Sequence, residues 1–323
     1  MLLPLLLVGC SGPAPSTVAL AAGGAAEPVR LWSDASIFQL VGDLIAHARH
    51  RVYVEMYELG RPDIVRGLSA DSASGADVRV VTDPTVNASR SSLATLLHHG
   101  VPSRFYPVDD VARQIDHAKL LIVDGEAVVG GMNWGVHSDR NHDYVLETRD
   151  ASEVQRLVQI FEQDWSLSAG IPRLVKADPA SRVAQTAPGE EIRELLSGAL
   201  TSARSHVWSE VYTLTDPDVL LQLAAAHRRG VDVRVLLDPN QAYNRQAFAQ
   251  LRSAGVAVRW YPIPRGALLH AKIGLFDSEL VLGSANWSYS GLDVNHELDI
   301  ETEDPQAVAA YASRFAADWA RAG

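Results

Sequence analysis

The sequence predicts an α/β fold made of two homologous halves that share one site. Three observations predict it: the chain repeats itself, each repeat alternates strands with helices, and each repeat ends in a strand pair and a closing helix. Two similar halves commonly pack about a pseudo-twofold axis, where residues meet their own counterparts. We therefore expect two mixed β-sheets flanked by helices, with one site between the halves.

The repeat is recognisable in its first elements. A helical pattern with one apolar face starts at Ile37 and recurs at Ile192, an offset of 155 residues. The strand run 52–57 recurs at 207–212 with the same offset, and both copies then reach a Pro-Asp pair that favours a helix start. The repeat covers nearly everything after residue 28.

Composition divides the chain further. The segment 11–28 is rich in Ala, Gly, Pro and Ser and has almost no charge, which is typical of a flexible tether. Prolines mark a connector near the middle of the whole chain. The predicted parts are a lipoprotein-type signal and tether at 1–28, a first half at 29–170, a connector at 171–189 and a second half at 190–323.

The start of the chain predicts export. Residues 2–8 form an apolar run too short to span a bilayer, and it ends in Leu7-Val8-Gly9-Cys10, which resembles a bacterial lipobox. Cys10 would then be acylated and would tether the protein in the bacterial cell envelope, outside the cytoplasm. The alternative is a lone cysteine near a terminus, and no Lys or Arg precedes the run.

Charge and cysteine content exclude some functions. The formal net charge is −11, so there is no global positive field to gather nucleic acid, and an anionic substrate must be captured by local Lys and Arg. With one cysteine, the chain can build neither a disulfide framework nor a cysteine-rich zinc site.

Each half carries the same polar pattern: a His, a Lys two residues later, an Asp five residues after the Lys, and an Asn sixteen residues after the His. These residues are His117, Lys119, Asp124 and Asn133 in the first half, and His270, Lys272, Asp277 and Asn286 in the second. His and Lys two apart on a strand point to the same face. An apolar strand and a tight glycine turn then bring the Asn back beside them.

Two copies of HxKxxxxD followed by a Gly-Ser-x-Asn-like turn resemble the signature of the phospholipase D superfamily. The resemblance implies that the His of the first motif is the nucleophile and that of the second the general acid and base. It also implies that the downstream carboxylates Asp143 and Glu297 accept a hydrogen bond from the imidazoles. The first half departs from the pattern, because Gly131 stands where the second has Ser284. This departure puts one phosphate or substrate contact in doubt.

These residue types fit metal-free phosphodiester chemistry. Neutral imidazole is an available nucleophile at physiological pH, and attack would give a phosphohistidine. A second, protonated His can supply the proton that the departing alkoxide needs and later activate water or an alcohol. The Lys and Asn pairs would stabilise the nonbridging oxygens, so we expect neither metal nor cofactor. Sequence alone leaves open which His attacks.

Several conspicuous residues have a structural interpretation beside the functional one. Asp124 and Asp277 lie at the far end of the strand from the His, and we expect them to pair with backbone or a cation. Glu55 and Glu210 could orient a catalytic side chain or form buried ion pairs. Trp134 and Trp287 could line the site or pack in the core.

The substrate class is the open question. Phospholipids and nucleic acids both present a phosphodiester anion. The tether and the acidic charge favour a glycerophospholipid, hydrolysed or transferred to an alcohol, and the alternative is an exported metal-independent nuclease. A catalytically inactive binding module would have lost a His or Lys, and both copies are intact. Because one chain supplies both motifs, a monomer suffices for catalysis.

Overall fold

A computed structural model describes residues 29–186 and 190–322 of the chain. The predicted signal and tether, residues 1–28 with Cys10, lie outside the described residues. The lipoprotein assignment therefore stays a prediction. Among the helices of the described part, none is both long and apolar enough to cross a bilayer.

The first half contains seven strands and four α-helices among the described residues. They are β1 (Arg30–Ser33), α1 (Ser36–Ala46), β2 (Arg51–Met56), α2 (Pro62–Ala73), β3 (Asp77–Thr82), α3 (Asn87–His98), β4 (Ser103–Phe105), β5 (Lys119–Val123), β6 (Glu126–Gly130), β7 (Tyr144–Thr148) and α4 (Ala151–Leu167).

The second half repeats this order. Its elements are β8 (Val183–Gln185), α5 (Glu191–Ser202), β9 (His206–Val211), α6 (Pro217–Arg228), β10 (Asp232–Leu237), α7 (Asn244–Ser253), β11 (Ala257–Trp260), β12 (Lys272–Phe276), β13 (Glu279–Gly283), β14 (Leu298–Thr302) and α8 (Pro305–Arg321). Both helices predicted from a Pro-Asp pair, α2 and α6, begin at that proline.

The two sheets have the same topology. Their strand orders are β1-β7-β6-β5-β2-β3-β4 and β8-β14-β13-β12-β9-β10-β11. In each sheet, the last three strands in that order are parallel and the other neighbours are antiparallel. This confirms the predicted α/β class with two homologous mixed sheets. Strand β8 lies inside the segment 171–189, which the sequence predicts as a connector. It belongs to the sheet of the second half, since it pairs with β14 as β1 pairs with β7.

Alternation along the strands gives each sheet two buried faces. In β5, Leu120 and Ile122 contribute to a central core, whereas Leu121 and Val123 contribute to an outer core with α1 and α2. The central core also contains residues of β12, α4 and α8. The two halves therefore share one hydrophobic core, and the edge where their motifs meet is held by packing beneath it.

Candidate active site

Two short parallel bridges join the halves immediately before the motif strands. Asp116 pairs with His296, and His142 pairs with Leu269. The His117 amide donates to the carbonyl of His296 at 2.8 Å, and the equivalent bond from His270 to His142 has the same length. Each motif His is thus anchored by the backbone of the other half. Both lie just before their strands rather than within them, because these bonds cross between sheets.

The motif histidines are oriented by carboxylates from the opposite half. Nδ1 of His117 lies 2.8 Å from Oε2 of Glu297, and Nδ1 of His270 lies 2.7 Å from Oδ2 of Asp143. All four side chains are buried. A carboxylate at Nδ1 fixes the tautomer that leaves Nε2 available for chemistry. The sequence identified these carboxylates but not the exchange between halves, since the motif spacing does not show it.

Burial disfavours the protonated form of both imidazoles. It lowers the pKa of His117, an effect that Glu297 opposes, and it lowers the pKa of His270 to about 4, with Lys272 adding to the effect. Burial alone would raise the pKa of Glu297, but the hydrogen bond from His117, the charge of Lys119 and the hydrogen bond from Ser284 lower it. A neutral imidazole beside an ionised carboxylate is the form in which histidine acts as a nucleophile or base.

The two motif lysines are buried with incomplete charge compensation. The Nζ of Lys119 donates to the carbonyl of His117, and that of Lys272 to the carbonyl of His270. Burial lowers the pKa of Lys119 to about 7 and that of Lys272 to about 8. A phosphodiester anion placed between them would supply the missing counter-charge and hold both lysines protonated.

Two amides complete the polar surface of the site. Oδ1 of Asn133 and Oδ1 of Asn286 are buried without a hydrogen-bond partner within the described residues. Buried amide groups are normally paired, so this symmetric exception points to a ligand position. Because amide O and N are interchangeable by rotation, either atom can face a bound phosphate and its leaving group.

A tyrosine flanks each motif, and sequence analysis assigned neither a role. The ring centroids of Tyr57 and His117 are 4.8 Å apart, and those of Tyr212 and His270 are 4.7 Å apart. Each lysine Nζ also lies near the ring of its tyrosine, at 5.3 Å in the first half and 5.0 Å in the second. Tyr57 and Tyr212 are 155 residues apart, the offset of the repeat, so their equivalent positions in the two halves could have identified them from the sequence.

The serine difference between the halves has a geometric cause. Oγ of Ser284 donates to Oε2 of Glu297 at 2.6 Å, so this hydroxyl supports the carboxylate. In the first half, a Cβ added at Gly131 would lie 2.3 Å from Oδ1 of Asp143. The shorter aspartate occupies the space that a serine would need, and its Oδ1 takes the Tyr144 amide at 2.8 Å instead.

The motif aspartates lie away from the histidines, at the turns that join β5 to β6 and β12 to β13. Asp124 accepts three amides, from residues 49 to 51, and Asp277 accepts three, from residues 204 to 206. Both have positive φ, 50° and 55°. Despite partial burial, these donors lower the pKa of both carboxyls. Both aspartates thus tie the motif hairpin to the start of the neighbouring strand, β2 in the first half and β9 in the second.

Two buried histidine clusters lie beside the site. His296 Nε2 is 3.1 Å from Asp164 Oδ2 and 3.4 Å from Glu55 Oε1, while His142 Nε2 is 3.2 Å from Glu210 Oε2. Glu55 and Glu210 therefore face a histidine of the opposite half rather than a motif lysine. The carboxylates hold the pKa of His142 at about 10 and that of His296 well above the usual range, although burial opposes them. Such donor sets can also ligate metals.

The remaining conspicuous residues lie outside the site. Trp134 is buried in the outer core of the first half, and Trp287 in the equivalent core of the second half. Two further histidines, His98 and His99, are exposed near the end of α3. Asn133 and Asn286, one residue before each tryptophan, are therefore held at the edge of a packed core.

The chain belongs to the family described as "Cardiolipin synthase, PLD-like domain", whose model matches residues 41–165 and 196–319. Each matched segment spans one half and contains one motif. The match confirms the resemblance to the phospholipase D superfamily.

Curated relatives agree with this family. The chain is 29% identical to "Cardiolipin synthase 2" of Bacillus anthracis over 87% of its own length and 62% of the relative, and 26% identical to "Cardiolipin synthase" of Halalkalibacterium halodurans over 87% and 63%. The chain thus spans less than two thirds of the curated relatives it matches. Its fold is similar to that of phosphatidylserine synthase from Haemophilus influenzae Rd KW20, with a TM-score of 0.71, 12% identity, and 91% and 87% of the two chains covered.

Proposed function

We propose that this protein is a phospholipase D-type phosphodiesterase that hydrolyses or transphosphatidylates glycerophospholipids through a phosphohistidine intermediate. One observation carries the proposal: each motif histidine is oriented at Nδ1 by a carboxylate of the other half, His117 by Glu297 and His270 by Asp143. This crossed arrangement makes two motifs into one site with two reactive Nε2 atoms.

The proposed reaction uses one histidine on each side of phosphorus. Nε2 of His117 attacks, a P–N bond forms and a P–O bond breaks, and Nε2–H of His270 gives its proton to the departing alkoxide. In the second step His270 takes a proton from water or an alcohol, which attacks phosphorus and releases His117. The anionic substrate raises the pKa of the nearby imidazoles, which supplies the protonated His270 that the empty site disfavours.

The lysines and amides stabilise the transition state. Lys119 and Lys272 are buried cations in a site with little water, where their interaction with the nonbridging oxygens is stronger than in solvent. The amides of Asn133 and Asn286 would donate to the same oxygens. A negative charge that builds on phosphate is therefore met by two fixed cations and two dipoles.

A glycerophospholipid is the proposed substrate because the family and the curated relatives are named for cardiolipin synthesis. The net charge of −11 also gives no broad field for nucleic acid. An alcohol acceptor such as a second phospholipid head group would make the reaction a transfer, and water would make it a hydrolysis.

The discriminating assay offers purified protein phosphatidylglycerol vesicles, phosphatidylcholine vesicles and plasmid DNA, each in EDTA. Release of head group or formation of a two-phosphate lipid, abolished by His117→Ala, is the expected result. The variant His98→Ala, in an exposed histidine on α3, is the matched control and should keep full activity. Cut DNA with intact lipid would overturn the proposal in favour of a nuclease.

We also propose that Cys10 carries a lipid anchor that holds the protein outside the cytoplasm. The support is the sequence Leu7-Val8-Gly9-Cys10, with the sole cysteine at the position of acylation. Intact-mass measurement of membrane-extracted protein should give a diacylglyceryl and acyl adduct at Cys10, lost in Cys10→Ser. An unmodified Cys10 would overturn this assignment.

A further inference from the structure

Four strongly exposed apolar or aromatic side chains lie on loops that build the active site. Val111 is 96% exposed, Val136 56%, Tyr243 73% and Tyr289 66%. Val111 precedes His117 on one loop, and Val136 and Tyr289 follow the site amides Asn133 and Asn286 by three residues each. We call Val111, Val136, Tyr243 and Tyr289 the apolar rim.

The fourth rim residue is tied to the site by its neighbour. Tyr243 immediately precedes Asn244, whose Nδ2 donates to the carbonyl of Tyr212 at 2.8 Å. Tyr212 is the residue whose ring contacts His270. All four rim residues therefore belong to loops that leave the same edge of the two sheets, the edge at which the catalytic groups meet.

The rim has the composition of a surface that meets lipid head groups. Exposed arginines stand close to three of its members in sequence: Arg113 near Val111, Arg140 near Val136, and Arg245 near Tyr243. Within the described residues, none of the three forms a salt bridge. Tyrosine and arginine favour the membrane–water interface, where the apolar part is buried and the polar end stays hydrated.

The charged residues on these loops balance one another. Asp109, Asp110 and Asp139 share the loops, so three carboxylates offset the three arginines. In a protein of net charge −11, the loops around the site are therefore close to neutral, and an anionic bilayer repels them less than it repels the chain as a whole. Isolated exposed apolar residues are ordinary on proteins, but a group around a catalytic opening marks an interaction surface.

We propose that the apolar rim docks the active site on the surface of a phospholipid bilayer, so that a head group enters from the membrane without full transfer of the lipid into water. This inference rests on the proposed function, because it assumes a lipid diester as substrate. The docked face is the loop edge that carries the two motifs, and the partner is a bilayer rather than another protein.

The test compares four-residue replacement of the rim by serine with replacement of two exposed leucines elsewhere, Leu97→Ser and Leu221→Ser. These control leucines, 50% and 63% exposed, lie on α3 and α6. Every protein is the full chain with Cys10→Ser, so that no acyl chain can bind the vesicle. The probe is sedimentation with vesicles of equal parts phosphatidylcholine and phosphatidylglycerol.

The rim variant should bind vesicles at least about tenfold more weakly than the control, and should turn over vesicle lipid more slowly by a similar factor. Its turnover of a short-chain phosphatidylglycerol below the micelle concentration should be unchanged. Equal vesicle binding by the rim and control variants would overturn the inference.

Binding is also measured in a His117→Ala background, where no turnover occurs. Rim-dependent binding there, together with no lipid turnover by the parent chain, would overturn the proposed function and leave the docking surface standing. Lipid turnover by the parent chain, together with vesicle binding that does not depend on the rim, would overturn the docking surface and leave the proposed function standing.

Discussion

The two motif histidines make the same contact at Nδ1 with carboxylates that are supported differently. Glu297, which holds His117, receives Ser284 Oγ at 2.6 Å and Asn295 Nδ2 at 3.0 Å. Asp143, which holds His270, accepts no hydroxyl hydrogen bond within the described residues, since Gly131 leaves only the space its carboxylate fills. The length of the carboxylate side chain and the size of the residue opposite it therefore vary together between the halves. The same contact with Nδ1 is made by a long glutamate that a serine supports and by a shorter aspartate that faces a glycine.

The clusters beside the site differ in the same way. His142 is surrounded by hydrogen-bonding groups, since Asp34 lies 2.7 Å from its Nδ1 and Arg314 donates to Asp34 at 2.8 Å. His296 faces Glu55 and Asp116, whose carboxylates keep oxygens without partners within the described residues. The position of Asp116 is occupied by Leu269 in the other half. The second cluster is therefore the less compensated one.

The largest effect should come from removing either imidazole. Because the proposed reaction uses one imidazole from each half, His117→Ala and His270→Ala should each reduce kcat by at least about 10³-fold. Single-turnover kinetics on a phospholipid measure this. If one variant kept most of its activity, the halves would not share a reaction.

The crossed carboxylates should come next. Glu297→Gln removes the acceptor for His117 and Asp143→Asn that for His270, so each should lower kcat by about 100-fold or more with little change in KM. Steady-state kinetics with a soluble short-chain phospholipid separate the two parameters. A change confined to KM would contradict an orienting role.

Exchanging the residues opposite the two carboxylates, Gly131 and Ser284, should lower kcat by unequal amounts. Gly131→Ser forces a side chain against Asp143, and should reduce kcat about as much as Asp143→Asn does. Ser284→Gly removes one hydrogen bond to Glu297 and should cost tenfold or less. Equal losses of kcat in the two variants would mean that the two carboxylates are not supported differently.

The lysines should make substrate capture sensitive to alkaline pH. The pKa of Lys119 is lowered to about 7 and that of Lys272 to about 8, so both are charged in the free enzyme below this range and lose charge above it. Because both lysines must be charged, kcat/KM should fall by about tenfold per pH unit between pH 7 and pH 8 and by about 100-fold per unit above pH 8, well before ordinary lysine titrates. A flat profile up to pH 10 would contradict it.

The smallest effect concerns the cluster of His296. Burial and Glu55 raise the pKa of Asp116 well above 3.8, so its ionised form is disfavoured in the fold and its contribution to stability falls as pH rises above that value. Asp116→Asn should raise the free energy of unfolding by about 1–2 kcal/mol at pH 8 and by less at pH 5. Denaturant unfolding at the two pH values tests this, and destabilisation at pH 8 would contradict it.

The sequence was sufficient to predict the duplicated α/β halves, because strand periodicity, Pro-Asp helix starts and the motif spacing are local features. The exchange of Glu297 and Asp143 between halves was not predictable, since it depends on how two sheets pack. The same limit applies to Glu55 and Glu210, whose histidine partners come from the other half. The support that Ser284 gives Glu297 depends on side-chain length in three dimensions, which spacing alone does not reveal.

A crystal structure of the protein soaked with vanadate tests the composite site most directly. We expect one vanadate between the halves, bonded to Nε2 of one motif histidine, with Nε2 of the other within hydrogen-bond distance of the opposite apical oxygen and both motif lysines on equatorial oxygens. Vanadate bound within one half, with the second histidine too far away to reach it, would show that the two motifs do not form one site.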